Sequence, residues 1–169
     1  MATSVHPFLW FDREAEEAAA LYVSLIPRSR VLRTRRYPDG SPGGLAGAVM
    51  SVSFELDGVP VEALNAGPQF PFTEAFSFFV SVDDQAELDR IWDGLLAGGG
   101  EPSQCGWLRD RFGLSWQVVP RVLDELLQDP DPGRSGRTMQ AMLGMQKLDV
   151  AALRAAAAGC PAGGPTLRR

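Results

Sequence analysis

The sequence predicts an α+β fold built from two paired βαβββ modules and closed by C-terminal helices. Three observations carry that prediction. The order strand, aspartate, amphipathic helix, hairpin runs once from Val5 to Asn65 and again from Phe76 to Val119. Asp12 and Asp83 stand in matching places in the two rounds, and beyond Pro120 the apolar spacing becomes purely helical. A βαβββ module covers only one side of its sheet, so two modules are expected to pair and close around a shared cleft. The expectation is one domain over 1–158, with module one at about 5–66, module two at about 76–119, a helical part at 120–158 and a disordered tail at 159–169.

Val5 to Phe11 reads as the first strand, with His6, Phe8 and Trp10 on one face and Pro7 marking an edge or strand-beginning position. Asp12 is the expected cap of a helix from about Glu14 to Leu25, where Ala15, Ala18, Tyr22 and Leu25 recur at helical spacing and Pro27 stops the run. Val31 to Tyr37 is a strand candidate, with a glycine- and proline-rich loop over 38–44 after it. Those glycines lead to no Lys-Ser/Thr pair, and the next element is a strand, so the loop is not a phosphate cradle. Val49 to Leu56 alternates cleanly, Asp57-Gly58 signals a hairpin turn, and Val59 to Asn65 returns.

Residues 67–72 read as a linker. Phe76 to Val82 opens the second round, Asp84 with Glu87 forms a capping box, and the helix carries Leu88, Ile91, Trp92 and Leu95 on one stripe before Gly98-Gly99-Gly100. Then comes the most patterned run in the chain, CGWLRDRFGLSWQVVP, read as a strand at Cys105–Arg109, a turn through Asp110–Gly113 and a strand from Leu114 to Val119. Alternation puts Leu114, Trp116 and Val118 on one face and Ser115, Gln117 and Val119 on the other. Past Pro120, Val122 to Leu127 makes a short helix, residues 129–133 break it, Met139, Met142 and Leu143 stripe another as core or dimer contact, and Asp149 caps an alanine-rich end.

Composition excludes several classes of partner. The chain has 169 residues, 45% of them hydrophobic, and a net charge of -5, which speaks against nucleic acid and anionic membranes. Arg33, Arg35 and Arg36 form a short basic cluster on an extended segment, read as a solvated edge. No apolar run nears the roughly twenty residues of a membrane span, and the opening MATSVHP lacks the form of a signal peptide, so the expected location is cytoplasmic. Two cysteines, Cys105 and Cys160, make no disulfide framework.

Few residues suggest chemistry. His6 is the sole histidine, and Gln117 is a lone amide among apolar neighbours that needs a partner or a ligand. Cys105 lacks an adjacent base that would make it a nucleophile and reads as a small buried residue. Asn65 and Gln69 flank the linker and point either to loop backbone or into a cleft, while Trp10, Trp107 and Trp116 are candidates for an aromatic wall or for core.

These residues resemble the vicinal oxygen chelate superfamily, which includes glyoxalase I, bleomycin-resistance proteins and extradiol dioxygenases. They are similar in particular to its PhnB-like branch, whose members often carry the label 3-demethylubiquinone-9 3-methyltransferase. The matching stretches are PFLWFD, ALNAGPQFPF from Ala63 to Phe72, FSF at 76–78, CGWLRDRFGLSWQVVP and AMLGMQKLD from Ala141 to Asp149, so the resemblance extends over about Val5 to Ala157. It implies the glyoxalase/bleomycin resistance/dihydroxybiphenyl dioxygenase-like fold and, commonly, a homodimer. In metal-dependent members three protein ligands hold a divalent ion. Those positions fall on or near His6, on Ser77 and on Gln117, with Glu62 a further candidate, so His6 and Glu62 are the only weak metal candidates.

The methyltransferase label would imply an S-adenosylmethionine site, which usually shows a glycine-rich turn between a parallel strand and a helix. The sequence has no such turn, and no S-adenosylmethionine is expected. The leading expectation is a homodimeric small-molecule-binding protein with an aromatic cleft and a degenerate metal site, lined by His6, Phe8, Trp10, Glu62, Asn65, Gln69, Ser77, Cys105, Trp107 and Gln117. The competing one is a metal-dependent lyase, isomerase or dioxygenase in which the ion polarises neighbouring substrate oxygens. A third is an interaction module formed through residues 139–145.

Overall fold

The structure, a computed structural model, describes residues 3–41, 43 and 45–160. Pro42 and Gly44 of the 38–44 loop, and the part of the expected disordered tail beyond Cys160, lie outside the described residues. Two compact units divide the chain at residues 73/74.

The first unit holds β1 (Phe8–Phe11), α1 (Ala15–Leu25), β2 (Arg30–Arg36), β3 (Val49–Leu56) and β4 (Val59–Asn65). Its sheet runs β1-β4-β3-β2, with β1 parallel to β4 and the other neighbours antiparallel. The β3–β4 hairpin turns at Asp57-Gly58, both at positive φ (46° and 82°), the geometry a two-residue turn of this hand requires. One face of the sheet packs on α1. Leu9, Phe11, Val52, Phe54, Val61 and Ala63 bury themselves there against Ala15, Ala18, Ala19 and Tyr22, the small alanines letting the helix approach closely.

The second unit repeats the plan with β5 (Ser77–Val82), α2 (Gln85–Leu96), β6 (Glu101–Pro102), β7 (Trp107–Arg109) and β8 (Ser115–Pro120), in the order β5-β8-β7-β6 and with β5 parallel to β8. The expected duplication is therefore present in order and in strand sense. Leu88, Ile91, Trp92 and Leu95 of α2 pack with Leu108, Trp116 and Val118, and burying each of these large side chains contributes roughly 1.5–3 kcal/mol. Asp84 accepts from the Glu87 N–H (2.9 Å), as the capping signature requires, and Glu87 accepts in turn from Asp83 N–H.

Three helices complete this unit: α3 (Arg121–Leu127), α4 (Pro132–Leu143) and α5 (Val150–Ala158). Gln85 of α2 fastens the last of them, donating to the Leu148 carbonyl (3.1 Å) and accepting from Val150 N–H (2.8 Å). Lys147 bonds Asp89 (3.0 Å) and Asp93 (3.1 Å) on the same helix. Hydrogen bonds from Gln85 and from Lys147 hold the Asp89 carboxyl below its ordinary value. Gly106 must be glycine. Its φ is 85°, and a Cβ would stand 2.9 Å from the Val118 carbonyl and 3.0 Å from Leu148.

The structure corrects several expectations. The first strand starts at Phe8, so His6 precedes it and is exposed. Asp12 does not cap α1. Glu14 occupies the cap position without a side-chain bond to the helix amides, and Asn65 of β4 reaches over to accept from Ala15 N–H at 2.9 Å. Cys105 is not in a strand, because its φ of 57° belongs to the turn before β7. Gly159 stands just past α5 as its C-cap, at φ 78° with its N–H on the Ala156 carbonyl. On α4 only Thr138 is buried, while Met139 and Leu143 are 40% and 52% exposed, so the methionine stripe is no core of this chain.

Asn65 also donates to the Val49 carbonyl (3.1 Å), so one amide ties α1, β3 and β4 together. Asn65→Ala leaves both backbone groups unpaired and is expected to lower the unfolding free energy by about 1–3 kcal/mol. Asp12→Ala should stay within about 0.5 kcal/mol. Chemical denaturation of the two variants checks the assignment.

Candidate functional site

The candidate surface in each unit is the far face of its sheet, the side turned away from the helix. Pairing fixes which residues share it, since directly opposed strand residues point the same way. In the first sheet two rows cross all four strands: Phe8–Glu62–Ser53–Arg33 and Trp10–Leu64–Ser51–Arg35. Phe8 is 59% exposed. Trp10 is half-buried, its indole N–H donating to the Gly67 carbonyl at 2.8 Å and its ring meeting Phe70 edge-on at 4.9 Å. Glu62 accepts the Ser53 hydroxyl.

The arginines reach this face through an irregularity in β2. Arg30 opposes Glu55 and Val31 opposes Phe54, but Arg33, not Leu32, opposes Ser53. The extra residue is a β-bulge at Leu32, and it inverts the facing of Arg33, Thr34 and Arg35 before a second register shift between Arg35 and Arg36.

In the second sheet, Phe79, Gln117 and Trp107 form one far-face row, and Ser77, Ser115, Arg109 and Glu101 form the next. Gln117 is half-buried between the two aromatic positions and donates through Nε2 to the Ser77 hydroxyl at 2.9 Å. Phe79 is 58% exposed. Arg109 and Glu101 pair at 2.6 Å.

Other expected residues fall elsewhere. Asn65 lies on the helix-covered side of β4, opposite in facing to Glu62, and its amide is engaged by Ala15 and Val49. Gln69 is exposed, with its amide folded back toward the Ala66 and Gly67 carbonyls at 3.0 Å when the nitrogen is placed as donor. Cys105 is half-buried in its turn, its N–H on the Met145 carbonyl at 2.8 Å. Trp116 leaves the aromatic wall altogether. It is fully buried on the helix side, and its indole N–H donates to Asp110 at 2.9 Å.

Asp110 itself is 3% exposed and accepts from the N–H groups of Phe112 (2.9 Å) and Leu114 (3.0 Å) as well. It holds the turn that aims β8. Sequence reasoning misses Phe79, Ser53 and the facing of Arg33 and Arg35. Phe79 is detectable from the alternation of Ser77 to Val82, whereas the arginines are hidden by the bulge.

Among the described residues no three His, Cys, Asp or Glu side chains gather as a metal-binding group. The chelating positions implied by the resemblance hold an exposed imidazole at His6 and a hydroxyl–amide pair at Ser77 and Gln117 that bond each other. Neutral oxygen donors of that kind suit a firmly held divalent ion poorly. A shallow groove of about 700 Å³ also opens in the second unit, lined by Gly133, Arg137, Gln140 and Gly159 among others and by no strand residue.

Two successive βαβββ units with parallel first and last strands define the vicinal-oxygen-chelate type of fold. The family model described as 3-demethylubiquinone-9 3-methyltransferase matches residues 3–119, and the chain belongs to that family, the PhnB-like branch of the superfamily. The match stops short of α3, so the helical end lies outside it, although the resemblance in sequence motifs extends to Ala157. The PhnB protein from Bacillus cereus is 30% identical, with a TM-score of 0.63 over 70% of this chain and 99% of its own. Protein PA1353 from Pseudomonas aeruginosa is 22% identical, with a TM-score of 0.59 over 70% and 98%. The fosfomycin resistance protein FosX from Listeria monocytogenes, in complex with Mn(II) and sulfate, is similar in fold alone, at 13% identity and a TM-score of 0.50 over 76% and 97%. No curated protein sequence matches the chain.

Removing the Asp110 carboxylate strands three donors, two of them in buried bonds. Asp110→Ala is expected to cost at least about 3 kcal/mol of stability, whereas Gln117→Ala should cost less than about 1 kcal/mol. Thermal and urea unfolding of both variants would separate the residue that builds the sheet from the one that it presents.

Proposed function

We propose that this protein binds a small organic molecule on the aromatic, mostly uncharged far faces of its sheets, and that the superfamily's metal site is degenerate in it. One observation carries the reading: each sheet presents large aromatic side chains on the side that its own helix does not cover, Phe8 and Phe79 being 59% and 58% exposed. Apolar surface of this kind is what a binding site offers. Trp10 and Trp107 widen the two aromatic faces, and the hydrogen-bonded Ser77–Gln117 pair supplies neutral donors and acceptors that orient a ligand. His6, Glu62 and Gln69 stand as rim contacts, and Cys105 as a small apolar contact beside Trp107.

The proposal does not extend to methyl transfer. The turns after β1 and β5 are Asp12-Arg13-Glu14 and Asp83-Asp84, with no glycine at which a nucleotide-like cofactor could approach the backbone. We place the protein in the cytoplasm as a homodimer. No helix among the described residues is long and apolar enough to cross a membrane, and the exposed Met139 and Leu143 on α4 offer apolar surface to a second copy.

Calorimetric titration with 2-naphthamide, an uncharged bicyclic aromatic, tests the reading. The wild-type protein should bind it, and Phe8→Ser and Phe79→Ser should each weaken binding at least about fivefold. Unchanged affinity in both variants would sink the proposal. Elemental analysis of chelator-free protein separates it from metal-dependent catalysis: stoichiometric metal that is lost in His6→Ala would favour the lyase, isomerase or dioxygenase reading instead.

A further inference from the structure

The basic edge of the first sheet is divided in its roles. Arg30 pairs with Glu55 at 3.2 Å, and Arg36 donates to the Gly47 carbonyl at 3.0 Å. The side chains of Arg33 and Arg35 make no ion pair or hydrogen bond among the described residues and are exposed. Both owe their facing to the bulge at Leu32. Continuing the register of Arg30 with Glu55 and Val31 with Phe54 would set Arg33 against Val52 on the helix-covered side. The bulge instead sets Arg33 against Ser53 and Arg35 against Ser51. Two residues apart on a strand, the guanidinium-bearing positions lie ~6.6 Å from each other, close enough for both to serve one oxyanion.

These positive charges share their rows with the aromatic wall. Arg33 ends the row that begins at Phe8, and Arg35 the row that begins at Trp10, three inter-strand spacings or ~14 Å away. Their long stems shorten that gap. The face thus runs from aromatic at β1, through Glu62 and Leu64 at β4, with the Glu62 carboxylate engaged by Ser53, and the serine hydroxyls at β3, to guanidinium at β2, in a chain whose net charge is -5.

We infer that Arg33 and Arg35 form an oxyanion subsite on the far face of the first sheet, so that the ligand class is an organic anion: an apolar or aromatic body bearing a carboxylate or a phosphoryl group. Arginine forks match either oxyanion through paired N–H donors. The inference rests on the proposed small-molecule binding and narrows it to a charged ligand. A charged edge strand that only resists edge-to-edge pairing accounts for exposed arginines too, but it predicts no ligand preference.

The test uses 2-naphthoate, 2-naphthyl phosphate and the uncharged 2-naphthamide as matched probes, titrated calorimetrically into the whole chain at low salt. Wild-type protein should prefer at least one of the anions to the amide by about tenfold or more. The stronger anion tells a carboxylic acid from a phosphoryl ligand. The double variant Arg33→Gln/Arg35→Gln should bind all three within about twofold of one another with its amide affinity unchanged, and Arg33→Lys/Arg35→Lys should recover part of the preference. Circular dichroism confirms that the variants fold, as substitution of two exposed side chains should allow. If the wild type binds the amide as tightly as both anions, or if the glutamine variant keeps the preference, the subsite is refuted while small-molecule binding stands. If none of the three binds the wild type, both proposals fall together.

Discussion

A single helix can cover only one face of a four-stranded sheet, and this limit governs everything else in the chain. In each unit the helix-side residues are mostly apolar and close-packed, from Leu9 and Phe54 in the first to Trp116 and Val118 in the second. Because side chains alternate along a strand, committing those positions to the core commits the intervening ones to the other face. Those positions are then free to carry Phe8, Glu62, Phe79 or Gln117 at little cost to stability. The division between residues that build and residues that present arises from strand geometry, before any ligand is considered.

Within that plan the two units fix their weak points differently. Helix α2 is capped from within, by Asp84 and Glu87, so its start is decided locally. Helix α1 takes its cap from Asn65, fifty residues on. The first helix can therefore settle only when β4 is in place beside β1, which couples helix formation to closure of the parallel pair. In the second unit the long-range polar anchor is Asp110, whose two oxygens gather the turn amides and the Trp116 indole. A buried carboxylate is costly unless its oxygens are hydrogen-bonded, so the turn geometry and the position of Trp116 are coupled through it.

Much of this is legible in the residues. The strands at Val49–Leu56 and Val59–Asn65 can be read to their ends because clean alternation meets a two-residue Asp-Gly turn, and the repeat of the whole order reveals the duplicated fold. Each feature that escapes has a physical reason. Asn65 reads as a rim residue because nothing local shows that a side chain caps a helix distant in sequence. Cys105 looks like a strand start because positive φ at a non-glycine residue leaves no compositional mark. β6 has only two residues, too few for any periodicity. The bulge at Leu32 is set by pairing with β3, not by the residue itself, so the facing of Arg33 and Arg35 cannot be deduced from the RVLRTRR run alone. For the same reason the site is less legible than the fold: its members are selected by facing, and facing depends on register.

The Ser77–Gln117 pair decides what kind of chemistry the second sheet can support. A metal ligand at either position would bring charge to polarise a bound oxygen, whereas a hydroxyl and an amide that bond each other bring only neutral dipoles. Each hydrogen bond they form contributes a modest net amount to folding, about 0.5–1.5 kcal/mol. The same groups can nonetheless discriminate. With Phe79 and Trp107 in register on either side of Gln117, a flat ligand lying against the row would meet the amide edge-on. A ligand with no polar group there would leave that amide partly desolvated and unpaired, a penalty of about 1–3 kcal/mol. On the proposed reading, a neutral polar pair between aromatic side chains would select a bound molecule and orient it.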